Sequence, residues 1–372
     1  TTLKPRSVID RIHTYYEKES VNIHRGLYYL SEKLTSEYEQ VRHKVKDFIN
    51  AESESEIVFT SGTTDSLNLV AQSCVAAKLK LGDEILVSQM EHHANIVSWQ
   101  LACERSGCKL KVVPITDNGD IDLEALQNIL SPKTKIFAFN YISNTLGTIN
   151  PVKEMIAIAK KLGVITVVDA AQAMVHLPID VRDLGCDFLA FSSHKMFGPT
   201  GTGVLYGKKS LLEQMRPVKG GGDMIRSVSF EKTTYTDVPH IFEAGTPHIA
   251  GVLGLGSAID YIRSLDRARV TEWETQIHKY AEEKLSEIKD LKIIGHSRRK
   301  APIVSFVIKG VHAHDMGAIL DREGVAIRAG HHCTQPLVER YGLTATARAS
   351  LSIYNQYSDI DQLVTGVRKV QE

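Results

Sequence analysis

The chain has 372 residues, more than one hydrophobic core usually serves, so two domains are expected. Hydrophobic residues make up 43% and charged residues 24%, as in ordinary globular proteins. Because Lys plus Arg and Asp plus Glu number 44 each, no net field attracts nucleic acid or an acidic membrane, and small-molecule chemistry is favoured.

Hydropathy and cysteine usage indicate the compartment. The longest apolar runs fall short of the roughly 18 residues of a membrane helix, and no signal-peptide pattern opens the chain, so a cytoplasmic location is expected. The five cysteines, at positions 74, 103, 108, 186 and 333, are odd in number and form no CxxC pair. This pattern argues against a disulfide framework or an ordinary zinc ribbon and allows for a working thiol.

Two helices are predicted near the start of the chain. Ser7 to Glu17 forms the first, and an irregular segment at 22–26, which contains His24, follows it. Thr35 to Asn50 is amphipathic, and Ser36 with Glu39 fits a capping box. The second helix is therefore predicted to pack on the core.

A candidate phosphate site follows. Glu56 to Thr60 is predicted as a strand, and residues 61–64 turn from it into a helix that runs to about Lys80. Backbone N–H groups and hydroxyls at a helix N-terminus bind phosphate readily, which makes Thr63 and Thr64 the candidates. A simple helix cap would explain the same residues.

Strands and helices then alternate up to about residue 255. The predicted strands are Glu84 to Ser88, Lys109 to Ile115, Lys135 to Tyr141, Val164 to Val168 and Phe188 to Phe191. The predicted helices between them include Leu123 to Leu130 and Val152 to Leu162. This order is typical of an α/β fold with a mostly parallel sheet wrapped by helices. A nicotinamide-binding Rossmann domain is the competing fold, but no GxGxxG follows an early strand.

Chemically capable residues lie at the ends of the last two of these strands. Asp169 ends one strand, and Ser192, His194 and Lys195 follow the other, ahead of a glycine-rich turn at 198–203. Open α/β sheets bind ligands at this edge. Pyridoxal 5′-phosphate (PLP) suits such a pair, because its aldehyde condenses with a lysine and its pyridinium nitrogen needs an anion. A surface lysine and an unrelated aspartate are the alternative, since GPTGTG alone is a weak signal.

Two further strand ends carry candidates. His92 follows the strand at 84–88; its imidazole can stack on a cofactor ring and exchange protons near pH 7. A metal site at His92 and His93 is disfavoured because no HExxH-type spacing is present. Asn144 follows the strand at 135–141, where a structural role in a turn is equally plausible.

The last third is predicted as a smaller α+β domain. Two long helices run from Ile249 to about Asp290. The remaining predicted elements are strands Ile303 to Ile308 and Val325 to Arg328, helices Asp315 to Glu323 and Asp359 to Val370, and an alternating strand at Arg348. The predicted division is a large domain at 20–255 and a small domain at 256–372, on which residues 1–19 pack.

Cys333 and Arg348 are the candidates in this domain. A cysteine is more often a small buried hydrophobe than a nucleophile, but Cys333 lies in a glycine-containing loop beside two histidines, which can favour thiolate. A guanidinium binds a carboxylate through two parallel hydrogen bonds, so Arg348 can hold the α-carboxylate of an amino acid. A surface ion pair would explain Arg348 as well.

Several motifs occur in a fixed order. They are VVDAAQ at 167–172, FSSHKMFGPTGTGVLYG at 191–207, RAGHHC at 328–333 and RASLSIYN at 348–355. With them the chain resembles the group II cysteine desulfurases, the SufS-like branch of the class V, fold type I PLP enzymes, over essentially its whole length. The resemblance also implies that a few residues precede Thr1.

The resemblance assigns roles to individual residues. It implies catalytic roles for Lys195, Cys333 and His92. The implied PLP-binding residues are Thr63, Thr64, His92, Asp169, Gln172, Ser192, His194, Lys195 and Thr246. The implied substrate-binding residues are His24, Asn144, Arg328 and Arg348. Thr246 is expected to reach the phosphate in the other subunit, which requires a homodimer. Thr334 departs from the family, in which alanine is common at this position.

The implied reaction converts L-cysteine into L-alanine and leaves a persulfide on Cys333. A SufE- or SufU-like acceptor is expected to take this sulfur for iron–sulfur cluster assembly. Selenocysteine lyase is the closest alternative, because a selenolate leaves without the same thiol attack. The others are another fold type I lyase or aminotransferase in which Cys333 is idle, and a non-enzymatic interaction module. No metal, nucleic-acid or membrane partner is expected.

Overall fold

The computed structural model describes residues 1–77 and 79–371. Within these residues, no helix is long and apolar enough to cross a membrane. The helix predicted from the turn at 61–64 to about Lys80 is described as far as Ala77, and the part of that prediction at residue 78 lies outside the described residues.

A seven-stranded sheet forms the centre of the fold, in the order β1-β7-β6-β5-β4-β2-β3. Its strands are β1 (Ile57–Thr60), β2 (Glu84–Ser88), β3 (Lys109–Val113), β4 (Thr134–Asn140), β5 (Ile165–Asp169), β6 (Phe188–Ser192) and β7 (Gly203–Gly207). β7 is antiparallel to both of its neighbours, and the other pairs are parallel. The connection between β6 and β7, at 193–202, is shorter than a parallel crossover needs, which explains the antiparallel pairing of these two strands. The prediction of an α/β fold with a mostly parallel sheet is confirmed.

Helices cover both faces of this sheet. Those up to residue 212 are α1 (Arg6–Lys18), α2 (Tyr29–Phe48), α3 (Thr63–Ala77), α4 (Ala94–Ser106), α5 (Leu123–Ile129), α6 (Val152–Lys160), α7 (Ala173–His176), α8 (Val181–Leu184) and α9 (Lys209–Leu212). Neighbouring residues of β4 alternate between two hydrophobic clusters: Phe137 and Phe139 belong to one, Ile136 and Ala138 to the other. The strand is therefore buried on both faces, as expected for a parallel sheet.

The start of α2 differs from the prediction. The helix begins at Tyr29, six positions before Thr35, so Ser36 and Glu39 lie inside it and form no capping box. Glu39 instead accepts hydrogen bonds from Arg42. The prediction was wrong because Tyr29 and Leu30 are exposed, so the first turn carries no amphipathic spacing.

A hairpin lies within the segment at 220–247, which is otherwise largely irregular. It consists of β8 (Ile225–Val228) and β9 (Thr233–Tyr235), which pair antiparallel. Phe230 lies between the two strands and is fully exposed. The hairpin is therefore a projection with an apolar tip.

A four-stranded antiparallel sheet follows, in the order β10-β11-β13-β12. Its elements, with the preceding helices, are α10 (Ile249–Ser264), α11 (Arg267–Ser286), β10 (Leu291–Ile294), β11 (Ile303–Ile308), α12 (Ala313–Arg322), β12 (Arg328–Gly330), α13 (Gln335–Arg340), β13 (Thr346–Ser350) and α14 (Tyr357–Lys369). The strand predicted at Val325 to Arg328 is wrong, since the pairing starts at Arg328. This sheet has a hydrophobic cluster of its own, which includes Phe306 and Leu363.

α10 is a packing partner of the N-terminal helices. Both α1 and α2 pack against it, and Val8 and Tyr15 of α1 join the same cluster as Leu255. The division of the chain into domains at residues 255 and 256, with residues 1–19 on the smaller one, stays a prediction.

Candidate active site

A cavity of about 230 Å³ opens where β4, β5 and β6 end. The site residues predicted from the sequence that line it are Thr63, Thr64, His92, Asn144, Asp169, Gln172, Ser192, His194, Lys195 and Arg328. The carboxyl ends of β4, β5 and β6 bring Asn144, Asp169 and Lys195 together, as predicted, whereas Arg328 comes from β12 of the other sheet. We call this cavity the Lys195 pocket.

Asp169 and Lys195 are the charged pair of the pocket. Asp169 ends β5 and is 6% exposed, while Lys195 lies in the single helical turn that follows β6. Burial raises the pKa of Asp169, and the charge of Lys195 opposes the shift. Burial also lowers the pKa of Lys195; Asp169 opposes this, and Arg348 and Arg328 add to it. The pair therefore supplies an anion and an amine that loses its proton more easily than an exposed lysine.

Hydroxyl and amide groups converge at the other end of the pocket, where α3 begins. The Thr63 backbone N–H donates to Ser192 Oγ over 2.8 Å, and the two side-chain oxygens are 2.7 Å apart. Both residues are 6% exposed. The positive end of a helix and these hydroxyls favour an anion such as phosphate.

His92 lines the pocket as a neutral imidazole. Burial lowers its pKa to about 4, and the charge of Lys195 is the next cause. Its Nδ1 accepts the Ala94 backbone N–H over 3.1 Å, so the ring proton lies on Nε2. His194 also lines the pocket, and burial lowers its pKa to about 4.

Cys333 lies beside the pocket, on a short loop that we define as residues 331–335 and call the cysteine loop. The Arg328 guanidinium donates to Cys333 Sγ over 3.3 Å, and Arg328 itself lines the pocket. The His93 backbone N–H donates to the Cys333 carbonyl over 2.6 Å. The Asn144 carboxamide donates to the His332 carbonyl over 2.8 Å. The loop is therefore fastened to residues that follow β2 and β4.

Arg348 is the second guanidinium at this position. It pairs directly with Arg328 across β12 and β13. It donates to the Asn144 carbonyl over 2.7 Å, while its buried Nε has no partner among the described residues. Burial lowers the pKa of Arg348 to about 10, and Arg328 adds to the shift. An unpaired N–H group on a buried guanidinium is suited to an incoming carboxylate.

Two predicted residues lie elsewhere in the single chain. The His24 Nε2 is 3.1 Å from Glu39 Oε1, and the His24 ring packs against Tyr38. Thr246 lines a separate cavity of about 240 Å³, together with Thr202. Neither residue lines the Lys195 pocket of this chain.

Sequence reasoning missed two polar residues at the pocket, Asn140 and its hydrogen-bond partner Glu91. Asn140 ends β4, is 4% exposed and lines the pocket. Its backbone N–H donates to the Glu91 carboxylate over 2.9 Å, and the Asn95 carboxamide donates to the same group over 2.7 Å. Burial raises the pKa of Glu91 to about 8. The signal was present, because Asn140 ends a buried strand just as Asp169 does.

The fold and the pocket define a class of protein, the fold type I PLP enzymes. The chain belongs to the class-V aminotransferase family, whose model matches residues 1–363. This membership confirms the family-level resemblance seen in the sequence motifs.

Relatives and solved structures agree with this assignment. The chain is 46% identical over 368 residues to the cysteine desulfurase of Pectobacterium atrosepticum, covering 99% of this chain and 90% of that protein. It is 47% identical over 372 residues to a probable cysteine desulfurase of Halalkalibacterium halodurans, covering 100% and 91%. The apo structure of a cysteine desulfurase from Thermococcus onnurineus superposes with a TM-score of 0.95 at 38% identity, covering 100% of this chain and 92% of that one.

Proposed function

We propose that the protein is a PLP-dependent cysteine desulfurase that converts L-cysteine into L-alanine and leaves a persulfide on Cys333. One observation carries the proposal: Cys333 Sγ lies 3.3 Å from Arg328, which lines the same pocket as Lys195 and Asp169. A nucleophilic thiol beside a lysine–aspartate pocket is the combination that sulfur removal needs. Relatives that are 46% and 47% identical are named cysteine desulfurase and probable cysteine desulfurase.

The residues present fit PLP. Lys195 would hold the aldehyde carbon, the buried Asp169 carboxylate would pair with the pyridinium nitrogen, and Thr63 with Ser192 would bind the phosphate. Neutral His92 offers a flat ring, while Thr64, Gln172 and His194 complete the lining. When bound, PLP withdraws electrons from the bonds at the substrate Cα.

The substrate carboxylate has a binding group in Arg348. Among the described residues the Arg348 Nε has no hydrogen-bond partner, and Asn144 keeps the guanidinium in place through its carbonyl. Arg328 and His24 are further candidates for orienting the amino acid. A carboxylate fixed in this way leaves the Cα proton and the side-chain sulfur free to reach separate groups of the protein.

Lys195 and His92 move protons in the proposed reaction. Lys195 takes the Cα proton, and the lowered pKa of its amine makes this possible near neutral pH. His92 carries its proton on Nε2, where it can be handed to the substrate. Because the pKa of His92 is lowered, its ring stays neutral near neutral pH.

Cys333 takes the sulfur. Its thiolate attacks the substrate sulfur, so that a sulfur–sulfur bond forms while the carbon–sulfur bond breaks and its electron pair stays on carbon. That carbon then takes up a proton, and Lys195 returns a proton to Cα, which completes L-alanine and leaves the persulfide on Cys333. The neighbouring Arg328 guanidinium stabilises negative charge on Cys333 Sγ before the attack.

A homodimer is part of the proposal. Residues 27–30 are four consecutive exposed apolar side chains, and Phe230 at the hairpin tip is fully exposed. Apolar surface of this kind marks an interaction site. Because Thr246 and His24 lie outside the Lys195 pocket of their own chain, a second copy is the partner that would give them a role.

The fate of the sulfur completes the proposal. A SufE- or SufU-like acceptor would take it from Cys333 for iron–sulfur cluster assembly, with the enzyme in the cytoplasm. Arg328 and His331 flank Cys333 and are exposed, which gives an acceptor thiol a way to approach. Transfer of radioactive sulfur from the enzyme to a candidate acceptor tests this step directly.

Alanine release from L-cysteine, with a reductant to discharge the persulfide, is the test of the activity. The wild type should release alanine, and Cys333→Ser should not. Cys103→Ser is the matched control, because Cys103 is also partly exposed; it should keep the wild-type rate. If the wild type and Cys333→Ser release alanine from selenocysteine alone, the protein is a selenocysteine lyase. No alanine from either substrate in PLP-loaded protein would overturn both assignments.

A further inference from the structure

Thr334, the residue after Cys333, is fully buried. Its hydroxyl donates to the His331 carbonyl over 2.8 Å and lies 2.7 Å from the hydroxyl of Thr145. A hydroxyl carries one hydrogen, so the Thr145 hydroxyl must be the donor in the second contact. Thr334 therefore joins the cysteine loop to the segment that follows β4.

Thr145 is a fixed anchor for this contact. It is 1% exposed, and its carbonyl accepts a hydrogen bond from Ser305 of β11 over 2.6 Å. The residue before it, Asn144, donates to the His332 carbonyl. The segment is thus bonded both to the four-stranded sheet and to the cysteine loop.

The cysteine loop needs such anchors because of its backbone. His332 and Cys333 have φ angles of 54° and 60°, in the left-handed region that side chains other than glycine disfavour. Residues keep this conformation where surrounding contacts hold them in it. The carbonyls of residues 331, 332 and 333 all accept hydrogen bonds, and Thr334 donates two to the carbonyl of residue 331, one from its hydroxyl and one from its backbone N–H.

We propose that Thr334 is a positioning residue that clamps the cysteine loop to Thr145, so that Cys333 Sγ stays beside Arg328 and the Lys195 pocket. The clamp is a property of the fold. Its effect on sulfur transfer rests on the function proposed above for Cys333. Alanine at position 334 would have no hydroxyl to bridge His331 and Thr145.

Hydrogen exchange followed by mass spectrometry tests the clamp without any reaction. Thr334→Val removes the hydroxyl at nearly constant shape, and amides of residues 331–338 should exchange about tenfold faster, the factor that corresponds to 1.4 kcal/mol. Thr334→Ser keeps the hydroxyl and should stay within about twofold of the wild type. If Thr334→Val does not fold, Thr145→Val replaces it, since it removes the other hydroxyl of the pair.

Two further variants separate the clamp from a general loss of stability. The Thr166 hydroxyl is also buried and bonds to Asp187 at the opposite end of β5, so Thr166→Val should leave exchange in the cysteine loop unchanged. The double variant Thr145→Val with Thr334→Val should exchange no faster than Thr334→Val, because Thr334→Val already removes the bond between the two hydroxyls.

Kinetics provide the functional readout. For alanine release, kcat of Thr334→Val should fall by about tenfold while KM for L-cysteine stays within about twofold, because Arg348 is untouched. Thr334→Ser should restore kcat. Wild-type loop exchange and kcat in Thr334→Val would overturn the clamp. Faster exchange in a protein whose wild type forms no alanine would support the clamp and overturn the proposed function.

Discussion

Acidification is expected to destabilise the protein through His332, the residue that precedes Cys333. His332 is 2% exposed, its Nε2 lies 2.8 Å from Thr346 Oγ1, and its Nδ1 is buried without a partner among the described residues. Burial lowers the pKa of this imidazole to about 3, and Arg348 and Arg328 add to the shift. The folded protein therefore keeps His332 neutral in mild acid.

The size of the effect follows from the difference in proton binding. An unfolded histidine has a pKa of about 6.5, so at about pH 5.5 roughly ten of eleven unfolded chains carry the proton. The folded state carries almost none, because its pKa of about 3 lies far below. The free energy of unfolding should fall by about 1.4 kcal/mol between about pH 7.5 and about pH 5.5. Stability from this group is complete above the unfolded pKa and is lost as the pH falls towards the folded one.

Urea unfolding at the two pH values measures this contribution. The wild type is compared with His332→Gln, which cannot take up the proton, and groups common to both proteins cancel in the difference. The wild type should lose about 1.4 kcal/mol more than the variant over this pH range. An equal loss in the two proteins would refute the assignment of a buried neutral imidazole.

Three other predictions concern the pocket and its surroundings. Arg348→Lys keeps the charge but loses the planar fork, so KM for L-cysteine should rise by about tenfold while kcat changes less; an unchanged KM would contradict carboxylate binding by Arg348. Thr63→Val combined with Ser192→Ala should raise the dissociation constant for PLP by about tenfold, measured by absorbance titration. Thr166→Val is its control, and equal PLP affinity in all proteins would argue against phosphate binding at α3. Leu27→Glu combined with Phe230→Glu should shift the protein from dimer to monomer in analytical ultracentrifugation, and an unchanged sedimentation coefficient would place the dimer contact elsewhere.

The polar residues at the ends of the strands could be predicted from the sequence. Asp169 and Lys195 follow buried apolar runs, and parallel strands bring such ends to one edge whatever the details of packing. Asn144 and His92 were found by the same rule. The rule needs only the short apolar runs that predict strands and the alternation of strands with helices that predicts a parallel sheet. Both are visible in the sequence.

Other features depend on contacts that no local pattern encodes. Thr145 and Thr334 are 189 positions apart, so their hydrogen bond arises from the packing of the two sheets. Ser36 and Glu39 match the local pattern of a capping box, but the helix begins earlier, at Tyr29, so both residues lie inside it. Thr246 likewise lines a separate cavity with Thr202, a placement that depends on residues distant in the chain.

The adjacent residues His92 and His93 contact different parts of the site. His92 lines the Lys195 pocket, whereas His93 bonds to the cysteine loop at two points, through its backbone N–H to Cys333 and through its ring to the Gln335 N–H over 3.0 Å. These two hydrogen bonds hold the backbone at Cys333 and Gln335 against His93, which restricts the movement of Cys333. In the proposed pathway we therefore expect the acceptor to bring its own thiol to Cys333.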